Sequence, residues 1–426
     1  EIILLYSGGL YNNGITSSVI NLSKQIDYSK YELVILESIY MPPEKINNIE
    51  LIDSRAKIVF LFSYPVRTFF SSFNQNLFYL TGRNNKFVFM NVLKKDVSLE
   101  IRRVIGDLEP TYAIDFGGYN KIFNTLFALG NFRKKSVYLH SIMLEEYVKV
   151  VKKKYIHKQD LKVIFSMYNL FDNIISVSES SMIKNQKDLS IYSIKKEKMS
   201  YINNIIDGDT LLREISDFAK LNDGNLIKSN IDGKYRLPYY ETINQFDIQV
   251  INSIVPPSDE TINFISVGRL SPEKNYINLI KAFNIVFKRN KNIRLIMVGD
   301  GPLLQDIRDE INNLGLENVI TLYGYLPNPI TLIRMCDCLI SSSNYEGQGI
   351  VLLEAMIARK HVLGTNVEGN KSILKGNKNS LMENSVQGLA EGIERYIRGE
   401  VPLIDFDYLT YNQESMDQFY KIVIQK

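Results

Sequence analysis

Short apolar runs alternate with amphipathic segments along most of the chain. In the first half the runs are EIILLY, YELVILES, AKIVFLF, YAIDFG, KSVYLHS and NIISVSE, and from residue 262 they are INFISVG, IRLIMVGD, NVITLYG, CDCLISSS and KHVLGTN. Segments between them, such as GITSSVINLSKQI and YINLIKAFNIVFKR, repeat apolar residues with a helical period. Buried strands separated by helices are typical of βαβ units. The pattern therefore predicts an α/β protein with two doubly wound parallel-sheet domains.

A polar, turn-rich stretch without a clear period separates the two series. It covers residues 207–260 and ends in VPPSDE. We predict a Rossmann-like domain at residues 1–206, a linker or insertion at 207–260, and a second Rossmann-like domain at 261–405. Residues 406–426 predict a helix that packs back toward the N-terminal domain. Because ligands collect beyond the carboxyl ends of parallel strands, two facing domains would leave a binding cleft.

Composition is that of a globular protein of two to three domains. The 426 residues are 45% hydrophobic and 23% charged, and the net charge of +3 gives no strong case for a nucleic-acid partner. No apolar stretch reaches the ~18–20 residues of a transmembrane helix, and the first residues of the sequence show no signal-peptide pattern. The start without methionine indicates a trimmed chain or part of a larger protein. We expect Cys336 and Cys338 to be buried thiols, which fits a cytoplasmic location.

The densest basic patch is VKVVKKKYIHK at residues 148–158. We favour its interpretation as a solvated helix face. Contact with an anionic acceptor, or with the inner face of a membrane as a peripheral protein, is the alternative.

Two glycine-containing loops follow predicted strands and suit an anionic ligand. In SGGLYNNGITSS, Gly8 and Gly9 allow positive φ and a close backbone approach just before a helix N-terminus. The loop matches neither G-x-G-x-x-G nor a Walker A motif. In ISVGRLSPEKN, Arg269 and Lys274 flank a turn stiffened by Pro272, and such a pair suits a diphosphate. Either loop alone is also explained as a structural turn.

The later loops add further candidates. For MVGDGPLLQDI, a structural turn is the default interpretation and ligand contact is secondary. In LYGYLPNP, the ring of Tyr325 could pack on a flat base or belong to the hydrophobic core. NYEGQGIVLLEAM places Glu346 in a loop and Glu354 on the following helix, with Gly347 and Gly349 permitting an unusual backbone path. The two glutamates do not share a helical face, so their roles need not be alike.

Together these motifs resemble the nucleotide-sugar-binding domain of retaining glycosyltransferases of family 4, which have the GT-B architecture. VGRLSPEKN, MVGDGPL, LYGYL and YEGQGIVLLEAM occur in the family's order and spacing within residues 262–374. The resemblance implies that Arg269 and Lys274 hold the donor diphosphate. It also implies that Glu346 lies by the donor sugar and that Glu354 binds the ribose hydroxyls. The remaining donor-pocket positions that it implies are Tyr325, Gly347, Gln348, Gly349 and Ile350.

The N-terminal half is similar to the family at fewer positions. Its first glycine loop implies Gly8 and Gly9 near the diphosphate, and VYLHS implies a strand-end histidine, His140, near the reaction centre. DFGGYNKIF, FDNIISVSES and NNIID resemble members that decorate teichoic-acid-like or capsular polymers. Gln348 departs from the family, which often carries an aromatic or other apolar residue there.

The resemblance implies a retaining hexosyl- or N-acetylhexosaminyltransferase that uses a nucleotide sugar, UDP-linked or similar. Its acceptor would be a glycan, a polyol-phosphate polymer, a lipid-linked molecule or a protein. No cofactor or metal is expected, because the cations and helix N-termini can stabilise the leaving diphosphate and no Asp-x-Asp loop stands out. A non-catalytic GT-B module of a larger polymer-synthesising enzyme remains an alternative. A Rossmann dehydrogenase or nucleotide-sugar epimerase is a second one, although its dinucleotide fingerprint is missing.

Overall fold

The computed structural model describes residues 1–61, 68–83, 85–106, 108–220, 257, 260–326 and 328–425. These residues contain two large parallel sheets, which confirms the predicted α/β class with two doubly wound layers. The chain divides into two compact units. Unit 1 comprises Glu1–Ile206, Tyr345–Gln348 and Leu409–Lys426, and unit 2 comprises Asp207–Asn344 and Gly349–Tyr408.

Seven parallel strands form the sheet of unit 1, in the order β3-β2-β1-β4-β5-β8-β9. They are β1 (Ile2–Tyr6), β2 (Glu32–Ser38), β3 (Lys57–Leu61), β4 (Tyr112–Asp115), β5 (Lys134–Leu139), β8 (Asn173–Ser176) and β9 (Met199–Tyr201). In the central strand, Leu4 aligns with Val34 on one side and Ala113 on the other. These strands are continuous apolar runs because helices cover both faces of the sheet.

The helices of unit 1 separate these strands in the chain. They are α1 (Gly14–Gln25), α2 (Pro43–Glu50), α3 (Phe69–Thr81), α4 (Met90–Ile105), α5 (Lys121–Leu129), α6 (Met143–Val148), α7 (Lys158–Met167) and α8 (Glu179–Asp188). A short antiparallel hairpin, β6 (Val150–Val151) with β7 (Lys154–Tyr155), lies between α6 and α7. Phe419 and Val423, near the end of the chain, are buried in the same hydrophobic cluster as Ile3 of β1.

Six parallel strands form the sheet of unit 2, in the order β12-β11-β10-β13-β14-β15. They are β10 (Ile262–Val267), β11 (Ile293–Val298), β12 (Ile320–Gly324), β13 (Cys338–Ser341), β14 (His361–Thr365) and β15 (Leu381–Met382). The later helices are α9 (Gly208–Lys220), α10 (Tyr276–Arg289), α11 (Leu304–Asn313), α12 (Ile330–Met335), α13 (Ile350–Ile357), α14 (Glu368–Ile373), α15 (Val386–Ile397) and α16 (Tyr408–Phe419).

The strand order reverses direction once in each sheet, and that point locates the ligand-binding edge. In unit 1 the reversal lies between β1 and β4, and in unit 2 it lies between β10 and β13. The crevice beyond the carboxyl ends of the strands at such a point is where open α/β sheets bind ligands. The loops that follow these four strands are therefore the first places to look for a site.

Two local predictions need correction. Residues 148–158 were expected to form a helix face, but residues 150–155 form the β6–β7 hairpin, in which Val150 aligns with Tyr155, while Val148 ends α6 and Lys158 begins α7. Adjacent β-branched residues and a tight turn outweigh the helical preference of lysine here. Cys336 caps α12 rather than lying in the next strand, and both cysteines are buried free thiols, as predicted.

Two further sequence predictions concern the interdomain stretch and the membrane. Of the predicted linker or insertion at 207–260, residues 208–220 form α9, and residues 221–256 and 258–259 lie outside the described residues. No helix in the described part of the chain is both long and apolar enough to cross a bilayer.

Candidate active site

The reversal of the strand order in each sheet is called its switch point. In unit 1, the first switch point is built from two glycine loops in direct contact. Gly8 and Gly9 follow β1 with φ of +92° and +108°, which L side chains rarely adopt. A Cβ added to Gly117, which follows β4, would lie 2.5 Å from the Cα of Gly8. Glycine is thus required both for backbone conformation and for the packing of one loop on the other. Gly8 and Gly9 are the two glycines that were predicted from the sequence to lie near the donor diphosphate.

A buried ion pair that the sequence analysis missed supports this loop. The Nζ of Lys45 lies 2.7 Å from a carboxylate oxygen of Glu37, and both side chains are completely buried. The hydroxyl of Ser7 donates a short hydrogen bond to Glu37 and accepts one from the N–H of Gly9 at 3.3 Å. A chain of polar contacts therefore runs from α2 through β2 to the glycine loop. The signal was visible as an acidic residue inside the apolar run ELVILES.

His140 follows β5, two strands from β1 at the same edge of the sheet. Its Nε2 lies 2.7 Å from the carbonyl oxygen of Phe116, which fixes Nε2–H as the donor and leaves Nδ1 as an acceptor. Burial lowers the pKa of His140 to about 4, against a smaller opposing effect of that hydrogen bond. The ring is therefore a neutral imidazole near pH 7 and suits hydrogen bonding to a hydroxyl rather than electrostatic binding of an anion.

Asp115 is a second titratable group in unit 1, and it lies at the start of the loop that contains Gly117. Asp115, the last residue of β4, is completely buried and accepts hydrogen bonds from the N–H of Gly118 and the amide of Asn124. Burial raises the pKa of Asp115 to about 6, although both hydrogen bonds act in the opposite direction. Its contacts with the following turn give it a structural role in shaping the loop.

The segment Tyr345–Gln348, which contains Glu346, belongs to unit 1 although its neighbours in the chain belong to unit 2. The carbonyl of Gly347 accepts a hydrogen bond of 2.8 Å from the hydroxyl of Ser178. A Cβ on Gly347 would lie only 2.0 Å from the carbonyl oxygen of His140. Gly347 is therefore needed for close approach, and neither it nor Gly349 has the positive φ that an unusual backbone path would require.

Hydrogen bonds from protein groups hold the side chain of Gln348. Its amide nitrogen donates to the hydroxyl of Tyr411 at 2.7 Å and to the side chain of Asn203 at 3.3 Å. Its carbonyl oxygen accepts from the N–H of Asn204 at 3.0 Å, and the residue is buried. Gln348, which differs from the residue usual in the resembled family, thus has a structural role. Its hydrogen bonds hold the loop that carries Glu346.

The second switch point presents the predicted cations. Gly268 directly follows β10 and has φ of +156°. A Cβ on Gly299 would lie 1.9 Å from the carbonyl oxygen of Gly268, so these two loops pack backbone to backbone. Arg269 is exposed. The aliphatic stem of Lys274 passes over the turn, because a Cβ on Gly268 would lie 3.4 Å from the Cε of Lys274. Both cations therefore come from one loop beside the end of β10.

Hydrogen bonds tie this cationic loop to the end of β13. The hydroxyl of Ser342 donates to the carbonyl of Lys274 at 2.7 Å. The N–H of Asn344 donates to the carbonyl of Glu273 at 2.7 Å, and its side-chain amide donates to the carbonyl of Pro272 at 3.0 Å. The structure thus joins two motifs that lie about 70 residues apart in the chain, at the reversal of the strand order.

Glu354 lies on α13, in a different environment from Glu346. Burial raises the pKa of Glu354 to about 7, with a further increase from the carboxylate of Glu214 on α9. At the start of the same helix, a Cβ on Gly349 would lie 2.6 Å from the side-chain oxygen of Asn370. Ile350 is the first helical residue. A carboxyl group of this kind is a good partner for hydroxyl groups, since it can donate or accept a hydrogen bond near neutral pH.

The predicted site residues therefore fall into two groups. Arg269, Lys274, Gly349, Ile350 and Glu354 lie in unit 2, together with Tyr325, which follows β12 and is partly exposed. Gly8, Gly9, His140, Glu346, Gly347 and Gln348 lie in unit 1. Within the described residues, no group of three or more His, Cys, Asp or Glu side chains is placed to hold a metal ion.

Comparison with known proteins finds similarity to glycosyltransferases. Residues 248–413 match the family Glycosyl transferases group 1. The chain is 27% identical over 178 residues to poly(ribitol-phosphate) alpha-N-acetylglucosaminyltransferase of Staphylococcus aureus, which covers 39% of this chain and 36% of that protein. It is 32% identical over 118 residues to poly(glycerol-phosphate) alpha-glucosyltransferase of Bacillus subtilis, covering 28% and 18% respectively. The matched segments thus span little more than a third of the first relative and less of the second.

Similarity to solved structures extends along the whole chain. Anabaena HepE in complex with UDP and glucose superposes with a TM-score of 0.64 at 17% identity, covering 99% of each chain. Staphylococcus aureus TarM, in a complex with fondaparinux, alpha-GlcNAc-glycerol and UDP, gives 0.62 at 14% identity, covering 99% of this chain and 97% of that one. At these identities the likeness establishes the GT-B fold.

Proposed function

We propose that this protein is a retaining glycosyltransferase that moves a sugar from a nucleotide-sugar donor to a hydroxyl acceptor in cell-surface polysaccharide synthesis. The observation that carries the proposal is the second switch point. There a loop with two cations, Arg269 and Lys274, is hydrogen-bonded to the strand end that leads into Glu346 and Glu354. Relatives named as polyol-phosphate glycosyltransferases, and structural neighbours solved with UDP, support a UDP-sugar donor and a polymer acceptor.

The donor would be held by charge at its diphosphate and by hydroxyl contacts at its ribose. Departure of the nucleoside diphosphate develops negative charge, which Arg269 and Lys274 would stabilise in place of a metal ion. Glu354, with a pKa of about 7, would accept hydrogen bonds from the ribose hydroxyls. The C–O bond to the diphosphate breaks as the acceptor oxygen bonds to the sugar, and the acceptor proton passes to the leaving phosphate.

Two residues of unit 1 would act on the reacting sugar. Glu346 would face the donor sugar, and the contacts of Gly347 and Gln348 would hold it in place. The neutral ring of His140 would accept a hydrogen bond at Nδ1 from a sugar or acceptor hydroxyl, because its Nε2–H is committed to Phe116. Gly8 and Gly9 would allow the diphosphate to approach the backbone.

Donor binding and turnover by single-site variants test the proposal. Thermal-shift screening of the chain against a panel of nucleotide sugars identifies the donor, and calorimetry then compares the wild type with Arg269→Ala and Glu354→Ala. Loss of a charge-assisted hydrogen bond of about 1.5–3 kcal/mol predicts donor affinity lower by about 10- to 100-fold.

Arg308→Ala is the matched control, since Arg308 is an exposed arginine on α11 and has no place in the proposed site. It should bind and turn over donor like the wild type. Unchanged affinity and rate in both site variants would refute the assignment of Arg269 and Glu354.

A further inference from the structure

The β6–β7 hairpin is a charged surface that the proposed transfer reaction does not use. Residues 148–158 contain five lysines and no acidic residue. Three of the lysines, at positions 152–154, are exposed and form no ion pair with any residue in the described ranges. In a chain whose net charge is only +3, this is a marked local concentration of positive charge.

The turn of the hairpin is built from residues that do not favour its geometry. Lys152 and Lys153 both have positive φ, 47° and 64°, as in a type I′ turn. Such turns favour Asn-Gly, because most L residues are strained in the left-handed region. Lysine is therefore an unfavourable residue at both positions of this turn. Backbone strain that persists at a surface site is a reason to seek a function for the side chains there.

Apolar side chains flank these lysines and are also exposed. Val148, Val150, Tyr155 and Ile156 have exposed fractions of 50%, 44%, 54% and 48%. Val150 and Tyr155 are aligned across the hairpin and so share a face. The Nζ of Lys158 lies 4.0 Å from the centroid of the Tyr155 ring. The hairpin thus combines apolar and aromatic side chains with lysines, which is the composition of a membrane-interface element.

The hairpin lies at the edge of the unit 1 sheet that carries the candidate site residues. In the chain, β5 ends just before His140, the helix α6 follows, and the hairpin comes next. After the hairpin, the helix α7 returns the chain to the start of β8. At its base, the ring of His157 is 5.2 Å from that of Tyr119, which follows β4. A surface bound here would lie on the side of unit 1 that carries the candidate site residues.

We propose that residues 148–158 dock the protein on an anionic phospholipid surface, with the exposed lysines at 152–154 on the headgroups and the apolar side chains at the interface. A soluble anionic polymer would account for the lysines but gives the exposed valines and isoleucine nothing to bury against. A lipid surface accounts for both. The functional meaning rests on the proposed glycosyltransferase activity, because the docked surface would present a membrane-bound acceptor to that enzyme.

Removal of charge without loss of the turn is the sharpest test. Lys152→Asn with Lys153→Gly introduces the residues that a type I′ turn prefers, so the melting temperature should be unchanged or higher. Each lysine near an anionic membrane contributes about fivefold to binding, so co-sedimentation with vesicles of equal parts phosphatidylglycerol and phosphatidylcholine should weaken about 30-fold. A second double variant, Val150→Thr with Ile156→Thr, keeps β-branched residues and should weaken binding about tenfold.

Lys195→Ser with Lys196→Ser is the charge-matched control, because these exposed lysines lie before β9, at the opposite edge of the sheet. It should leave vesicle binding unchanged. The proposal is overturned if the hairpin variants bind vesicles like the wild type, or if they lose only binding to soluble poly(glycerol phosphate). Sugar transfer to a soluble acceptor is measured separately, so failure of the transfer reaction with intact hairpin-dependent vesicle binding would refute the proposed function and not the docking surface.

Discussion

Lys45→Met should destabilise unit 1 strongly, because it leaves a buried carboxylate without its cation. Lys45 and Glu37 are completely buried and 2.7 Å apart. Removing one partner of such a pair costs about 3–5 kcal/mol, whereas replacing both by groups of similar shape can be nearly neutral. Domains are stable by only about 5–15 kcal/mol, so the single change should remove a large fraction of the stability. The Ser7 contact to Glu37 should also loosen, and with it the support of Gly9.

A double-mutant cycle measures this cost. Lys45→Met combined with Glu37→Gln should recover most of the lost stability, since a neutral amide can still accept from Ser7. Urea denaturation gives the global value, and hydrogen exchange at β1 and β2 amides isolates unit 1, because a chain of two units need not unfold in one step. Lys30→Met is the control: its ion pair with Asp27 is solvent-exposed, so little change is expected. A loss below about 1 kcal/mol in Lys45→Met, or no recovery in the double variant, would refute the reasoning.

Two further predictions concern the candidate site. Since the pKa of Glu354 is raised to about 7 and the ionised carboxylate is the stronger acceptor, donor affinity measured by calorimetry should rise up to roughly tenfold from pH 6 to 8. Glu354→Gln should abolish this rise, and a pH-independent wild type would contradict the ribose-binding role. Gln348→Met removes the hydrogen bonds that the Gln348 side chain makes with the hydroxyl of Tyr411 and the N–H of Asn204, so urea denaturation should show a loss of about 1–3 kcal/mol. Gln348→Met and Tyr411→Phe should be strongly non-additive, and simple additivity would contradict the shared junction.

The fold could be predicted from the sequence because buried parallel strands leave a strong signal. Continuous apolar runs such as EIILLY and INFISVG became the central strands β1 and β10, each paired on both sides. Loops after these strands could also be found, since glycine and charged residues punctuate the pattern there. The short strands β9 and β15 were not predicted, because three and two residues are too few to show a period.

Features that depend on contacts between distant segments could not be predicted. The helix expected at residues 148–158 was wrong because local composition does not reveal the turn at Lys152 and Lys153. Gly347 was selected for a special backbone path, but only the fold shows that the carbonyl of His140 excludes a side chain there. Likewise, Glu37 finds its cation on α2, a helix the sequence analysis did not predict.

The motif with two glutamates eight positions apart spans both compact units, and this explains why its two ends differ. Glu346 lies in the segment assigned to unit 1, and Glu354 lies in unit 2. The chain leaves unit 2 after Asn344 and returns at Gly349. Within unit 1, the hydrogen bonds of Gly347 and Gln348 hold the loop that carries Glu346, and within unit 2 the helix α13 begins beside Asn370. An insertion within Tyr345–Gln348 would disturb the contacts of Gly347 and Gln348, so this stretch of the motif meets a structural requirement that is independent of the chemistry of either carboxylate.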